Sequence, residues 1–286
     1  MSKTVLITGT STGVGLAAAI LFAKKGYKVY ASMRNLAKKD LLLAAAQAAN
    51  VSVSTPQLDV TDTVSVQNCV AQIIAETGKI DILINNAGAG YLRSTEQATE
   101  ADYTWVTEVN YHGVVRCTKA VLPFMRTAKQ GHIINITSVG GLVGQPFNEF
   151  YCAAKFAVEG YTEALASYVT DAFGIQFSLV EPGGITTEFV NNVLAQVGQS
   201  GGMLEDAYLP ILQKYIGGAR QRAAAGEKGV FQTADEVAAI ILSVAENPNP
   251  PLRTRTSDWS NEFCHLKTMG DPDGKKLVEE VKKRFL

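Results

Sequence analysis

The chain has 286 residues, 26 Lys and Arg against 27 Asp and Glu, a net charge of −1 and 47% hydrophobic residues. That is enough apolar chain for a large buried core and too apolar for intrinsic disorder. Near-neutral charge gives no electrostatic ground for a nucleic-acid partner, and no apolar run reaches the roughly 18–20 residues that span a bilayer.

Elements follow in alternation. Residues 3–8 (KTVLIT) read as a strand, then a glycine-rich turn, then a helix over 14–25 that stops at Gly26. A second strand covers 27–32 and a Leu/Ala-rich helix covers 35–49. A third strand is expected within 51–60, closing near Asp59, before a helix capped by Thr61 or Asp62 and ended by Gly78. Residues 81–86 (DILINN) read as a buried strand, 100–128 as a long helical region, 132–138 as strand five. A helix over 149–173 closes at Gly174 and strand six covers 175–182. Residues 190–230 carry little strand pattern and read as excursions over the site. Thr233 opens a helix to 247, NPNPP breaks it, LRTRTS supplies a last strand, and a charged helix ends the chain from Asp271.

Repeated β-α-β units with nearly continuous apolar strands imply a parallel sheet with helices on both faces. Right-handed crossovers make it an α/β Rossmann-type doubly wound sheet. No linker interrupts it. The expected layout is one catalytic domain over 1–257, with a substrate lid at 188–230, followed by a tail at 258–286. Four scattered cysteines without CxxC spacing argue against zinc or disulfides and fit a reducing compartment. With a strand beginning almost at the N-terminus, leaving no room for a signal peptide, a cytoplasmic location is expected. The three histidines show no metal spacing, so no metal is expected.

The turn TGTSTGVG (8–15) joins a strand to a helix. Its glycines let the backbone approach a pyrophosphate, and the helix N-terminus offers free N–H groups. A plain strand–helix turn would use the same letters, but its place at the head of a βαβ series favours a nucleotide. Strand two ends in Ser32-Met33-Arg34 and lacks the acidic residue that would bind the 2′-hydroxyl of NAD. A guanidinium there suits a 2′-phosphate. NADP is therefore expected, read by Arg34 with Ser32, Asn35 or Lys38 as helpers. Asp59 suits either an adenine amino group or a turn.

YCAAK (151–155) sets Tyr151 and Lys155 on one helix face, a pair that also arises by chance. With TGTSTGVG, NNAG (85–88), Asn110, Ser138 and PGGITT (182–187) in this order, the chain resembles the short-chain dehydrogenase/reductase family, in its branch with TGxxxGxG and YxxxK motifs. The match runs from residue 3 to about 187, more loosely to 257. The resemblance implies a catalytic set of Asn110, Ser138, Tyr151 and Lys155. Tyr151 would be the general acid or base, its phenol pKa lowered by Lys155 and the positive nicotinamide ring, Ser138 would polarise the carbonyl, and Asn110 would hold a relay water. It implies cofactor contacts from Gly9, Ser11, Thr12, Gly13, Val14, Gly15, Asp59, Val60, Asn86, Ala87 and Gly88. Pro182, Gly183, Ile185 and Thr187 would flank the nicotinamide, beside Tyr151 and Lys155. The lid residues Phe189, Val193, Leu194, Met203, Leu204, Tyr208 and Leu212, with Phe147, suit a hydrophobic ketone, aldehyde or secondary alcohol. A homodimer or homotetramer is implied. A nucleotide-binding sensor without turnover is the alternative on the same fold, though it has no need of the proton donor.

Overall fold

A computed structural model of the protein describes residues 2–186, 193, 197–198, 202–224 and 230–285. Six parallel strands form the central sheet: β1 (Thr4–Thr8), β2 (Lys28–Ser32), β3 (Ile82–Asn85), β4 (Gly131–Ile136), β5 (Ile175–Glu181) and β8 (Arg253–Arg255). Their order is β2-β1-β3-β4-β5-β8. Alternate residues of a strand face opposite sides, and here both sides are covered. Leu6, Leu83, Ile133 and Leu179 enter one hydrophobic cluster. Val5, Ile7, Ile82, Ile84, Ile134 and Val180 enter the other. This is why the strands read as unbroken apolar runs.

The first cluster is closed by α3 (Thr63–Thr77), α5 (Gly113–Ala128) and α6 (Glu149–Phe173). The second is closed by α1 (Gly13–Lys24) and α8 (Ala234–Glu246), with Leu42 of α2 (Asp40–Ala48) also in it. Local chemistry sets the ends of these helices. Asp62 caps α3 by accepting from the Val64 N–H, and the left-handed Gly78 ends it. Gly174 ends α6 in the same way. Thr233 and Glu236 form a reciprocal capping box on α8.

Several expectations are corrected. The segment 51–60 makes only isolated bridges, Ser54 to Tyr30 and Gln57 to Met33. Pro56 lacks the N–H a continuous ladder would need there. The helix over 35–49 splits into a 3₁₀ turn (Leu36–Lys38), capped by Asn35, and α2. The long helix over 100–128 is α4 (Glu100–Thr107), a π turn (Glu108–His112) and α5 in succession. Two short strands escaped the sequence pattern: β6 (Gly184–Thr186) pairs in parallel with β7 (Phe231–Thr233). So did α9 (Asp258–Thr268), capped by Ser257, which precedes the terminal helix α10 (Lys275–Phe285). Of the expected lid, α7 (Leu209–Ala224) is described; the lid residues Phe189 and Leu194, and Thr187 expected beside the nicotinamide, lie outside the described residues. No described helix is long and apolar enough to cross a membrane.

Chain order and strand order part company between β1 and β3, because the chain leaves β1 outward to β2 and then returns. Ligands of doubly wound sheets bind at such a switch point, beyond the carboxyl ends of the strands. The glycine loop after β1, NNAG after β3, Ser138 after β4 and Pro182 after β5 all emerge at that edge.

Candidate active site

The glycine loop is held from below. The Thr8 hydroxyl accepts from the N–H groups of Asn86 (3.1 Å) and Ala87 (3.0 Å). Asn86 Nδ2 donates to the carbonyls of Thr8 (2.9 Å) and Gly9 (3.0 Å). Thr10 donates through both its N–H and its hydroxyl to the Ser32 carbonyl at 3.1 Å. Gly9 has φ +73°, and a Cβ there would lie 2.7 Å from the Ala87 Cα. Only glycine satisfies both constraints. The loop therefore runs flat against NNAG and leads into α1. Ser11, Thr12 and Gly13 are half-buried at that junction, and Val14 and Gly15 are buried. The Thr12 side chain makes no cap bond and the first turn of α1 has no acidic residue, so its N–H groups remain open to an anion. A closely approached backbone and an uncapped helix N-terminus fit a dinucleotide pyrophosphate.

At the end of β2, Arg34, Asn35 and Lys38 are exposed. Ser32 is fully buried and its hydroxyl donates to the Ile7 carbonyl at 3.0 Å, so it faces the sheet and is unsuited to helping Arg34. Asn35 Oδ1 is engaged by the Ala37 N–H. Asp59 Oδ1 accepts from the Thr61 N–H (2.9 Å) and hydroxyl (2.8 Å), the turn role. Val60 is buried against Gly113.

Asn110 sits in the π turn, fully buried. Its Nδ2 donates to the carbonyls of Ala89 (2.8 Å) and Val106 (2.9 Å), and its Oδ1 accepts from the Ala89 N–H at 3.1 Å. This braces the loop after β3 against α4. Gly88 lies between Asn110 and Lys155: a Cβ there would meet Asn110 Oδ1 at 3.1 Å and Lys155 Nζ at 3.6 Å.

The central group converges on α6. The Ser138 side chain hydrogen-bonds to Tyr151 and accepts from the Gly140 N–H at 3.0 Å. Lys155 lies one turn further on, 4% exposed, and its Nζ donates to the Ile136 carbonyl at 2.9 Å. That Nζ stands 5.7 Å from the centre of the Tyr151 ring. Tyr151 is pushed up to about 12 by burial, with the Ser138 hydrogen bond pulling the other way. Lys155 is pushed down to about 8 by burial, partly opposed by Glu159. The lowering expected from Lys155 and the nicotinamide ring concerns the loaded site; in the protein alone burial dominates and raises the phenol. Tyr151 is a protonated donor at neutral pH.

Pro182 is buried behind Ser138, its carbonyl accepting from the Val139 N–H at 2.9 Å. Gly183 packs on Trp259 and Ser260 of α9, and Ile185 against the second hydrophobic cluster. Beside the N-terminus of α6 lies a cleft of about 560 Å³ lined by Pro146, Ile211, Lys214, Tyr215 and glycines of α7. Asn148 Nδ2 donates to the Tyr215 hydroxyl at 3.1 Å, three residues before Tyr151. Phe147, Leu92, Val197 and Leu212 form a small separate cluster there, packed by Val193 and Tyr208. Met203 and Leu204 are exposed.

Sequence reasoning missed Thr8, Thr10 and Asn148. Thr8 stands in front of the first glycine, and that adjacency was the available signal. Asn148 and Tyr215 are 67 residues apart, and no local pattern links them. His132 is buried against Ser178 and pushed down to about 4 by burial, hence neutral. His112 pairs with Glu108 on the helix surface.

With fold and site in view, comparison with known proteins is informative. The model of the short chain dehydrogenase family matches residues 3–198. Retinol dehydrogenase 8 of Bos taurus is 39% identical over 96% of this chain and 88% of its own length. Human 17-beta-hydroxysteroid dehydrogenase type 1 is 36% identical over 97% of this chain and 84% of its own. The crystal structure of a short-chain dehydrogenase from Streptomyces avermitilis superposes with a TM-score of 0.76 at 28% identity, covering 100% of this chain and 98% of that one. The chain belongs to the short-chain dehydrogenase/reductase family. It is an oxidoreductase that uses a nicotinamide cofactor and acts on small molecules.

Proposed function

We propose that the protein is an NADP(H)-dependent oxidoreductase interconverting a hydrophobic ketone or aldehyde and the corresponding alcohol, with Tyr151 as general acid and base. The observation that carries this reading is the hydrogen bond between Ser138 and Tyr151, with Lys155 one helical turn away and buried. In the reductive direction Ser138 orients the carbonyl oxygen and Tyr151 gives it a proton. Lys155 holds positive charge beside the phenol, which stabilises the phenolate left when the proton is given up. Asn110 keeps the loop after β3 in place and lines the path behind Lys155. When bound, the nicotinamide supplies or accepts the hydride.

Gly9, Ser11, Thr12, Gly13, Val14 and Gly15 would hold the pyrophosphate at the N-terminus of α1. Arg34 beside Asn35 would take the 2′-phosphate, and Asp59 and Val60 would flank the adenine. Asn86, Ala87, Gly88, Pro182, Gly183, Ile185 and Thr187 would border the nicotinamide side. A hydrophobic substrate is supported by the cleft at Pro146 and Tyr215 and by the names of the relatives, which concern retinol and a hydroxysteroid.

The test is NADPH oxidation with a panel of hydrophobic ketones and aldehydes, retinoid and steroid carbonyls included. Tyr151→Phe should lower kcat by about 10²–10⁴-fold while NADPH still quenches or enhances fluorescence on binding. Unchanged turnover would remove Tyr151 from the mechanism. Inactivity of the native protein across the panel would favour a nucleotide sensor.

A further inference from the structure

Behind the catalytic helix lies a cluster of ionised side chains to which the reaction assigns no part. Glu159 is one turn beyond Lys155 on α6 and is 4% exposed; Glu181, at the end of β5, is fully buried. Both carboxyls reach the same donor: Arg253 Nε is 3.1 Å from Glu159 Oε2 and 3.4 Å from Glu181 Oε1. Arg255 Nη1 is 3.1 Å from Glu181 Oε2, and Arg253 Nη2 pairs with Glu163. The other oxygen of Glu159 accepts from the Thr137 hydroxyl at 2.7 Å. Thr137 immediately precedes Ser138, and Glu181 immediately precedes Pro182. The cluster thus joins the three segments that carry the site: α6 with Tyr151 and Lys155, the end of β4 with Ser138, and the end of β5 with Pro182.

Three carboxyls lie among two guanidiniums and the Lys155 ammonium, so overall charge does not decide which carboxyl holds a proton; the groups around Glu159 are Lys155 and Glu163 on its own helix, Glu181 on β5, Arg253 and Arg255 on β8, and Cys264 on α9. The Arg253 Nε–H bonds Glu159 and leaves the buried Glu181 Oε1 beside it without a donor, and two buried carboxylates set this close cannot both ionise cheaply. We propose that Glu159 is a positioning residue that keeps a proton at neutral pH and, as a neutral hydrogen-bonding carboxyl, ties Thr137 and hence Ser138 to the helix bearing Tyr151 and Lys155. Glu181, gripped by both arginines, carries the charge. Burial and the facing Glu181 push Glu159 well above the usual carboxylate range; burial pushes Glu181 up as well, but Arg255 and Arg253 pull it back towards the ionised form.

The inference rests on the functional reading above for its catalytic consequence, but its proton does not. A carboxyl whose folded pKa is raised contributes stability that is complete below its ordinary pKa and is lost as pH rises through the folded value. Gln at 159 stays neutral at every pH and can bond both Arg253 and Thr137. The melting temperature of native protein minus that of Glu159→Gln should therefore fall as pH rises from 6 to 9.5. At pH 7, Glu159→Gln should keep at least about a third of native kcat. Glu159→Ala should lose about tenfold or more in kcat with its NADPH dissociation constant within about threefold, as should Thr137→Val, which cuts the same link should the alanine variant not fold. A difference in melting temperature that does not change with pH overturns the proposal whatever the turnover. So does native kcat in Glu159→Ala or Thr137→Val, or a Glu159→Gln variant as impaired as the alanine. If native protein reduces no carbonyl while the pH-dependent difference is present, it is the functional reading that fails.

Discussion

At the residue scale, the site depends on side chains whose neighbours change their chemistry. Lys155 in YCAAK looks like a solvent-facing partner of Tyr151, yet its Nζ is buried and bonded to the Ile136 carbonyl. Desolvation brings it down to about 8, so its charge is present below that pH and lost above it. We expect kcat/KM for NADPH in carbonyl reduction to be flat below about pH 8 and to decline above it. Lys155→Met should remove that inflection along with most activity, and a flat profile to pH 10 would contradict it. The stability linkage has the matching sign: the neutral lysine is favoured in the fold, so its contribution is complete above the ordinary lysine pKa and lost as pH falls through about 8. Arg34, by contrast, is exposed. It stands where a carboxylate would repel a 2′-phosphate, and Arg34→Asp should move preference from NADPH towards NADH, read as the ratio of the two kcat/KM values.

At the scale of elements, helix ends were legible because capping is local chemistry. Asp62, Gly78, Gly174 and Thr233 each end or start a helix within a residue of the sequence reading. The Thr233 hydroxyl and the Glu236 carboxylate satisfy N–H groups at the start of α8, which covers one face of the sheet. Thr233→Ala should cost about 1 kcal/mol, about 2–4 °C in melting temperature, with little effect on kcat. The π turn at Glu108–His112 was not legible. An extra residue per turn has no signature in apolar spacing, and it is stabilised by Asn110 bonding to Ala89, 21 residues away. Neither was the failure of 51–60 to form a full strand: alternation suggested one, and Pro56 at the sheet edge prevented it.

For the whole molecule, two apolar clusters sandwich the sheet and bring four loops to one edge. The faces of α4, α5 and α6 remain partly uncovered, with Tyr103, Phe124, Phe156 and Tyr168 each at least 39% exposed. Such an aromatic surface suits self-association. We expect a dimer or tetramer by light scattering, reduced to smaller species by Phe156→Asp paired with Tyr168→Asp; a monomeric native protein would refute it.

The β-α-β alternation, both-faced burial of the strands and the glycine loop could be read from the chain because each rests on contacts within a few residues or on a fixed period, whereas the set of Asn110, Ser138, Tyr151 and Lys155 came from the family resemblance. Three-dimensional packing set the rest. Ser32 turns into the sheet because its hydroxyl finds the Ile7 carbonyl. Asn86 serves the glycine loop because β3 lies beside β1. The Tyr151 phenol is held protonated and Lys155 is brought down to about 8 because burial, which no spacing of letters encodes, removes both from water.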